Sequence, residues 1–127
     1  KSINERALVG TIDIMPTLLD LAGIAVPEGL DGRSFKREII SPETTETNFD
    51  VLFSQNQFGR MVRFGQYKYV RSIVYGVTYE VLYDLKNDPL ESENLCNNKA
   101  FNDTLNKGRK LLDEWLAAAN TTLVSRN

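Results

Sequence analysis

Residues 13–22 read Asp-Ile-Met-Pro-Thr-Leu-Leu-Asp-Leu-Ala, a helical stretch that is apolar on nearly every side. Asp13 is placed to cap it, and Pro16 falls in the first turn, where a missing N–H costs little. Ile14, Leu18, Leu21 and Ala22 share one face, Met15 and Leu19 lie beside them, and Gly23 supplies a left-handed stop. Only Thr17 and Asp20 are polar in the helix body. A helix apolar all round must be covered from more than one direction. That demands a larger body than a chain of 127 residues easily provides. A helix this short does not persist undocked either. The expectation is that residues 13–22 are hidden by self-association or by a further portion of a longer protein. The chain opens on Lys1 rather than Met, which reads as a processed or excised piece.

Further along, the pattern changes twice. Pro27-Glu28-Gly29 and Asp31-Gly32 are turn signals, and Ser34 can cap a short helix over Phe35–Ile40. Ser41 to Asn48 contains no apolar residue and reads as a linker, the boundary between residues 1–49 and 50–127. Short β-rich runs follow at Val51–Ser54, Arg60–Phe64, Tyr67–Ser72 and Tyr79–Asp84. Gly65-Gln66 reads as a tight hairpin, Val74–Val77 as the next turn, and Asn87-Asp88-Pro89 as the end of the last strand. Phe101, Leu105, Leu112, Trp115, Leu116 and Ala119 then recur at helical spacing, with Gly108 weakening that helix by roughly 1 kcal/mol against alanine. The expected fold class is α+β: a small antiparallel sheet of three to four strands packed by a C-terminal helix.

The chemistry that composition allows is narrow. With no histidine, the chain holds no Ser-His-Asp triad, imidazole base or His-ligated metal. Fifteen basic against seventeen acidic residues leave no surplus to neutralise phosphates, so nucleic acid is not an expected partner. No apolar run approaches the ~20 residues of a membrane span, and residues 1–6 lack the apolar core of a signal peptide. Cys96 as a nucleophile would need Lys or Arg alone to activate it. Asp13, Asp20 and Glu28 as acid–base groups compete with helix capping and surface roles. Tyr67, Tyr69, Tyr79 and Tyr83 could stack sugars, or simply pack the sheet. Asn102-Asp103-Thr104 and Asn120-Thr121-Thr122 match a glycosylation acceptor at the frequency chance gives. No phosphate-binding glycine loop and no metal-spaced Cys or carboxylate cluster is present.

Four segments in order carry a resemblance. Ile12 to Gly23 resembles the D-x-x-P-T-L-L-D-L-A-G helix of sulfatases in the alkaline-phosphatase superfamily, and Leu30-Asp31-Gly32-Arg33-Ser34-Phe35 is similar to the L-x-G-x-S-L turn that follows it there. Arg60-Met61-Val62-Arg63 with Tyr67-Lys68-Tyr69-Val70 resembles the family's R-x-V-R-x-x-x-Y-K-Y-I hairpin. Glu80 to Leu85 and Asp88 to Leu95 are similar to its E-x-L-Y-D-L and D-P-x-E-x-x-N-L signature. The resemblance covers the family's C-terminal end.

What it implies goes beyond the residues. Sulfatases carry a formylglycine made within C/S-x-P-x-R and a Ca²⁺ held by Asp-Asp and Asp-Asn or Asp-His pairs. None of these motifs occurs here; Cys96 is followed by Asn97-Asn98-Lys99-Ala100. The resemblance therefore implies a C-terminal portion that shapes the substrate pocket for sulfate-ester hydrolysis, with carbohydrate sulfate as substrate. Residues 1–49 would be the tail of the α/β sulfatase domain, helix 13–22 included, and 50–127 the C-terminal subdomain. This portion alone would lack cofactors, catalytic residues and turnover. The alternatives are a related phosphodiesterase or phosphonate hydrolase, or a free-standing glycan-binding module. In some sulfatases the stretch matching Leu52–Arg63 reads L-Y-W-E-H-E-G-N-R-A-V-R, with its polar centre facing substrate. That register gives Gln55, Asn56 and Gln57 as candidate substrate contacts, amides replacing Glu, His and Glu. A periplasmic, secreted or lysosomal-type location would follow for the parent.

Overall fold

The computed structural model describes residues 7–41 and 50–119. Residues 42–48 of the expected linker and the Asn120-Thr121-Thr122 motif lie outside them. Two compact units divide the chain, Lys1–Leu52 and Phe53–Asn127.

In the first unit, a 3₁₀ turn over Thr11–Asp13 leads into α1, Ile14–Leu21, and a short α2 spans Lys36–Ile40. Asp13 stands at the N-cap of α1 but makes no side-chain cap bond. Its buried carboxylate instead accepts the backbone N–H groups of Gly10 at 2.8 Å and Arg33 at 2.9 Å. This corrects the capping expectation: the carboxylate takes one donor from three residues before it and one from a turn twenty residues on, and none from α1. Thr17, also buried, donates its hydroxyl to Asp13 O at 2.6 Å and accepts the Phe35 N–H at 3.0 Å. Ser34 donates to Asp20 Oδ2 at 2.6 Å, and Lys36 Nζ pairs with Asp20 Oδ1 at 2.9 Å. So the polar residues of α1 are its attachment points to the 30–36 turn.

α2 begins one residue later than expected, with Ser34 Oγ accepting the Lys36 N–H. The large apolar side chains of α1 face outward: Ile14 is 49% exposed, Met15 51%, Leu18 61% and Leu21 44%. Buried instead are Pro16 and Thr17. The helix is amphipathic in reverse.

The second unit is built on a four-stranded antiparallel meander in the order β1-β2-β3-β4, with β1 Val51–Gln55, β2 Gly59–Phe64, β3 Tyr67–Val74 and β4 Val77–Asp84. Two-residue turns set the register. Gly65 at φ 53° joins Phe64 to its partner Tyr67, and Tyr75-Gly76 at φ 50° and 77° joins Val74 to Val77. Positive φ at both central positions of Tyr75-Gly76, and at the first of Gly65-Gln66, suits the twist of paired strands. Residues directly opposite share a face, so Val62, Tyr69 and Leu82 form one fully buried row.

Across that row lies α3, Asn102–Ala119, packed on β2 and β3 through Leu105, Gly108 and Leu112. Trp115 stacks on Phe53, ring centroids 5.0 Å apart. At Gly108 the helix comes close against Tyr69 and Phe64 of the sheet. The tyrosines divide by register: Tyr67 and Tyr69 share the α3 face, while Tyr79 opposite Ser72 and Tyr83 opposite Lys68 point the other way. They make no common stacking platform.

Candidate functional site

The segments that carry the family resemblance are working parts of the scaffold. Asp84 of the Leu-Tyr-Asp-Leu run is buried and accepts both Gln66 Nε2 contacts, at 3.0 and 2.9 Å, and Asn87 Nδ2 at 2.9 Å. Burial would push its carboxyl up, but the bonds from Asn87, Gln66 and the Lys86 N–H outweigh this and hold it below the usual carboxylate range. Asp88 accepts Ser92 Oγ and the Glu93 N–H, both at 2.9 Å, closing the loop after Pro89. Asn94 imitates a fifth strand. Its Oδ1 accepts the Leu82 N–H at 3.1 Å and its Nδ2 donates to Glu80 O at 3.1 Å. Glu91, at φ 56°, turns to meet Lys68 Nζ at 2.7 Å.

The candidate contact residues sit at the β1–β2 turn, all three exposed. Asn56 builds that turn: its Oδ1 accepts the N–H groups of Phe58 at 2.9 Å and Gly59 at 2.8 Å, while its own N–H bonds Gly59 O at 2.9 Å. Gln55 ends β1, and Gln57 follows Asn56 in the turn. Cys96 is half-buried; burial first, then the negative charge of Glu80, pushes its thiol up, away from a reactive thiolate.

Sequence reasoning missed a charged cluster. Cross-strand register sets Arg60, Arg71 and Glu80 abreast on β2, β3 and β4. From α3, Arg109 grips Glu80 with a two-pronged guanidinium, Nε to Oε1 at 2.8 Å and Nη2 to Oε2 at 2.5 Å, and Asp113 takes Arg71 Nη2 at 2.6 Å. The Tyr69 hydroxyl donates to Glu80 as well. Arg109, against the opposing effect of burial and helped by Tyr69, holds the Glu80 carboxyl down at about 2. Arg60 Nε and Arg63 Nε are buried with no hydrogen-bond partner. The cluster lines a cavity of about 570 Å³ between the sheet and α3.

Because Glu80 titrates below its ordinary 4.5, its contribution to stability is present above pH 4.5 and is lost as pH falls toward 2. Glu80→Gln is expected to remove about 2 kcal/mol at pH 6 and much less at pH 3, allowing for the partial exposure of the pair. Urea unfolding of both proteins at the two pH values checks this. An equal loss at pH 6 and pH 3 would contradict it.

Among the described residues no group of three or more His, Cys, Asp or Glu can hold a metal ion. The carboxylates of Asp13 and Asp84 are each already taken by protein donors. These residues do not fit a Ca²⁺ site, and Cys96 does not stand in a formylglycine motif. No described helix is long and apolar enough to cross a membrane.

Comparison with known proteins gives the family. The family model for the C-terminal part of N-sulphoglucosamine sulphohydrolase matches residues 1–118. A Δ4,5-hexuronate-2-O-sulfatase of Bacteroides thetaiotaomicron is 35% identical over 123 residues, spanning 91% of this chain and 25% of its own length. An arylsulfatase of Clostridium perfringens is 33% identical over 104 residues, 79% of this chain and 21% of its own. The solved structure of a 2-O GAG sulfatase superposes with a TM-score of 0.69 at 34% identity, covering 85% of this chain and 24% of that one. The chain thus spans about a quarter of the length of the relatives it matches. The ordered motifs, the four-stranded meander with its covering helix and the match over residues 1–118 agree: the chain belongs to the sulfatases, as a C-terminal sulfatase domain.

Proposed function

We propose that this chain works as part of a sulfatase acting on sulfate esters of carbohydrates, where it shapes the substrate pocket. The match to a hexuronate-2-O-sulfatase over 91% of the chain carries this reading. On it, residues 1–49 close the α/β sulfatase domain and residues 50–127 form the C-terminal subdomain. The outward apolar face of α1 supports the division, since Ile14, Met15 and Leu18 need a cover that their own polar attachments do not supply. That cover is the α/β body of the enzyme, and self-association through residues 13–22 is its substitute when the body is missing. Formylglycine and Ca²⁺ would be carried elsewhere in the enzyme.

Within this chain, Gln55 and Gln57 are the residues assigned to substrate hydroxyls, as donors and acceptors that leave the turn itself to Asn56. In the longer enzyme that contains this chain, the double variant Gln55→Ala, Gln57→Ala should lower kcat/KM on a sulfated disaccharide about tenfold, with an unchanged melting temperature. Unchanged kinetics would remove the assignment. Faster turnover of a phosphonate monoester than of any sulfate ester would overturn the wider reading.

A further inference from the structure

The cavity between the sheet and α3 has more positive charge than its own ion pairs consume. Arg60, Arg71 and Arg109 line it against Glu80 and Asp113, leaving one guanidinium in excess. Arg71 is held by Asp113 and Arg109 by Glu80, but Arg60 has neither an ion pair among the described residues nor a partner for its buried Nε. Arg60 also stands directly opposite Arg71. Like charges in that position repel, and the carboxylates nearby, Asp113 and Glu80, are engaged by Arg71 and Arg109. An anion placed before the two guanidiniums removes both liabilities at once.

The rest of the wall narrows what that anion is attached to. Ile73 and Leu116 give aliphatic surface, and Thr78 adds a hydroxyl. The carboxylates of Asp113 and Glu80 also line it as acceptors, Asp113 well exposed. A bare inorganic ion uses only the arginines. An acidic sugar uses all of it: its charged group meets Arg60 and Arg71, its hydroxyls donate to the carboxylates, and its C–H face lies on Ile73 and Leu116. About 570 Å³ is room for one sugar residue and part of a second, within the roughly 300–1,000 Å³ of small-molecule sites.

We infer that this cavity binds an anionic saccharide, with Arg60 as the residue that holds its carboxylate or sulfate. Only the choice of a sugar over other organic acids rests on the carbohydrate-sulfatase reading.

The full chain, labelled with ¹⁵N, is titrated separately with methyl β-glucuronide, N-acetylglucosamine 6-sulfate, neutral N-acetylglucosamine and inorganic sulfate. The first two are expected to shift the arginine Nε–H signals of Arg60 and Arg71 and the amides of Ile73 and Thr78. Their relative affinities tell a carboxylate ligand from a sulfate one. Arg60→Met should weaken the tighter of them at least about tenfold. Thr78→Trp, which keeps every arginine and fills the cavity from an exposed strand position, should abolish the shifts. Inorganic sulfate or neutral N-acetylglucosamine binding as tightly as the acidic sugars would overturn the inference. So would shifts that survive both substitutions, or no binding by the wild-type chain. Turnover by the longer enzyme, measured separately, decides the proposed function, so either can fail without the other.

Discussion

Replacing Gly32 by alanine is expected to open the 30–36 turn away from α1, at a loss of more than about 3 kcal/mol in the first unit. A Cβ at that position would stand 2.0 Å from Ile12 O and 2.5 Å from Ile12 C, both main-chain atoms. No side-chain rotation relieves such an overlap; the two backbones must part. As they part, the Arg33 N–H leaves Asp13 and the Phe35 N–H leaves Thr17, so a buried carboxylate keeps one donor of two. Losing a hydrogen bond to a buried charge adds its own penalty. Amide exchange at Arg33 and Phe35 reads the effect locally, and exchange in β3 and β4 serves as the internal reference. Protection at Arg33 equal to wild type would refute this account of the glycine.

A second large effect is expected at Gly108. A Cβ there would lie 2.9 Å from Tyr69 Cβ, 3.1 Å from Tyr69 Cγ and 3.2 Å from Phe64 Cε1. Tyr69 Cβ is fixed by the backbone of a central strand, so α3 has to lift. Gly108→Ala offsets part of that strain with a helix-propensity gain of roughly 1 kcal/mol. Gly108→Val gains less and brings two further methyl groups, which pull Leu105 and Leu112 off the Val62–Tyr69–Leu82 row. A loss of about 3 kcal/mol is expected for valine, a fall in melting temperature of roughly 12–24 °C for a unit of this size. Calorimetry on both variants measures it. A valine protein as stable as wild type would show that the helix does not approach the sheet at this residue.

These two positions also show what a sequence reader could and could not see. Gly108 was visible as a weak point in a helix but not as a contact, because propensity concerns the helix alone and Tyr69 lies thirty-nine positions earlier. Strands were legible because period-two runs and turn residues are local signals, but the turn expected over Val74–Val77 narrows to Tyr75-Gly76, and Val74 and Val77 belong to β3 and β4. Asp13 escapes a local rule for the same reason: a capping rule looks three residues ahead, whereas its donors lie three residues behind, at Gly10, and in the 30–36 turn. The tyrosines alternate alike in β3 and β4, yet only the register shows Tyr69 facing α3 and Tyr79 facing away. Arg60, Arg71, Glu80 and Asp113 come from three strands and a helix. Two registers and one docking bring them together, and no linear pattern spans them.

The meander order has a consequence for the chain as it is made. Each strand pairs with its neighbour in sequence, so β1 to β4 can assemble as soon as Asp84 is available. The face carrying Val62, Tyr69 and Leu82 then stays bare until Ala119 has been added, thirty-five residues later. At the roughly 5–20 residues per second of synthesis, that is about 2–7 s of exposed aromatic and aliphatic surface, long compared with the microseconds of hairpin formation. For that interval the growing polypeptide presents the kind of sticky sheet that chaperones shield. A ribosome stalled between these two points would display it indefinitely.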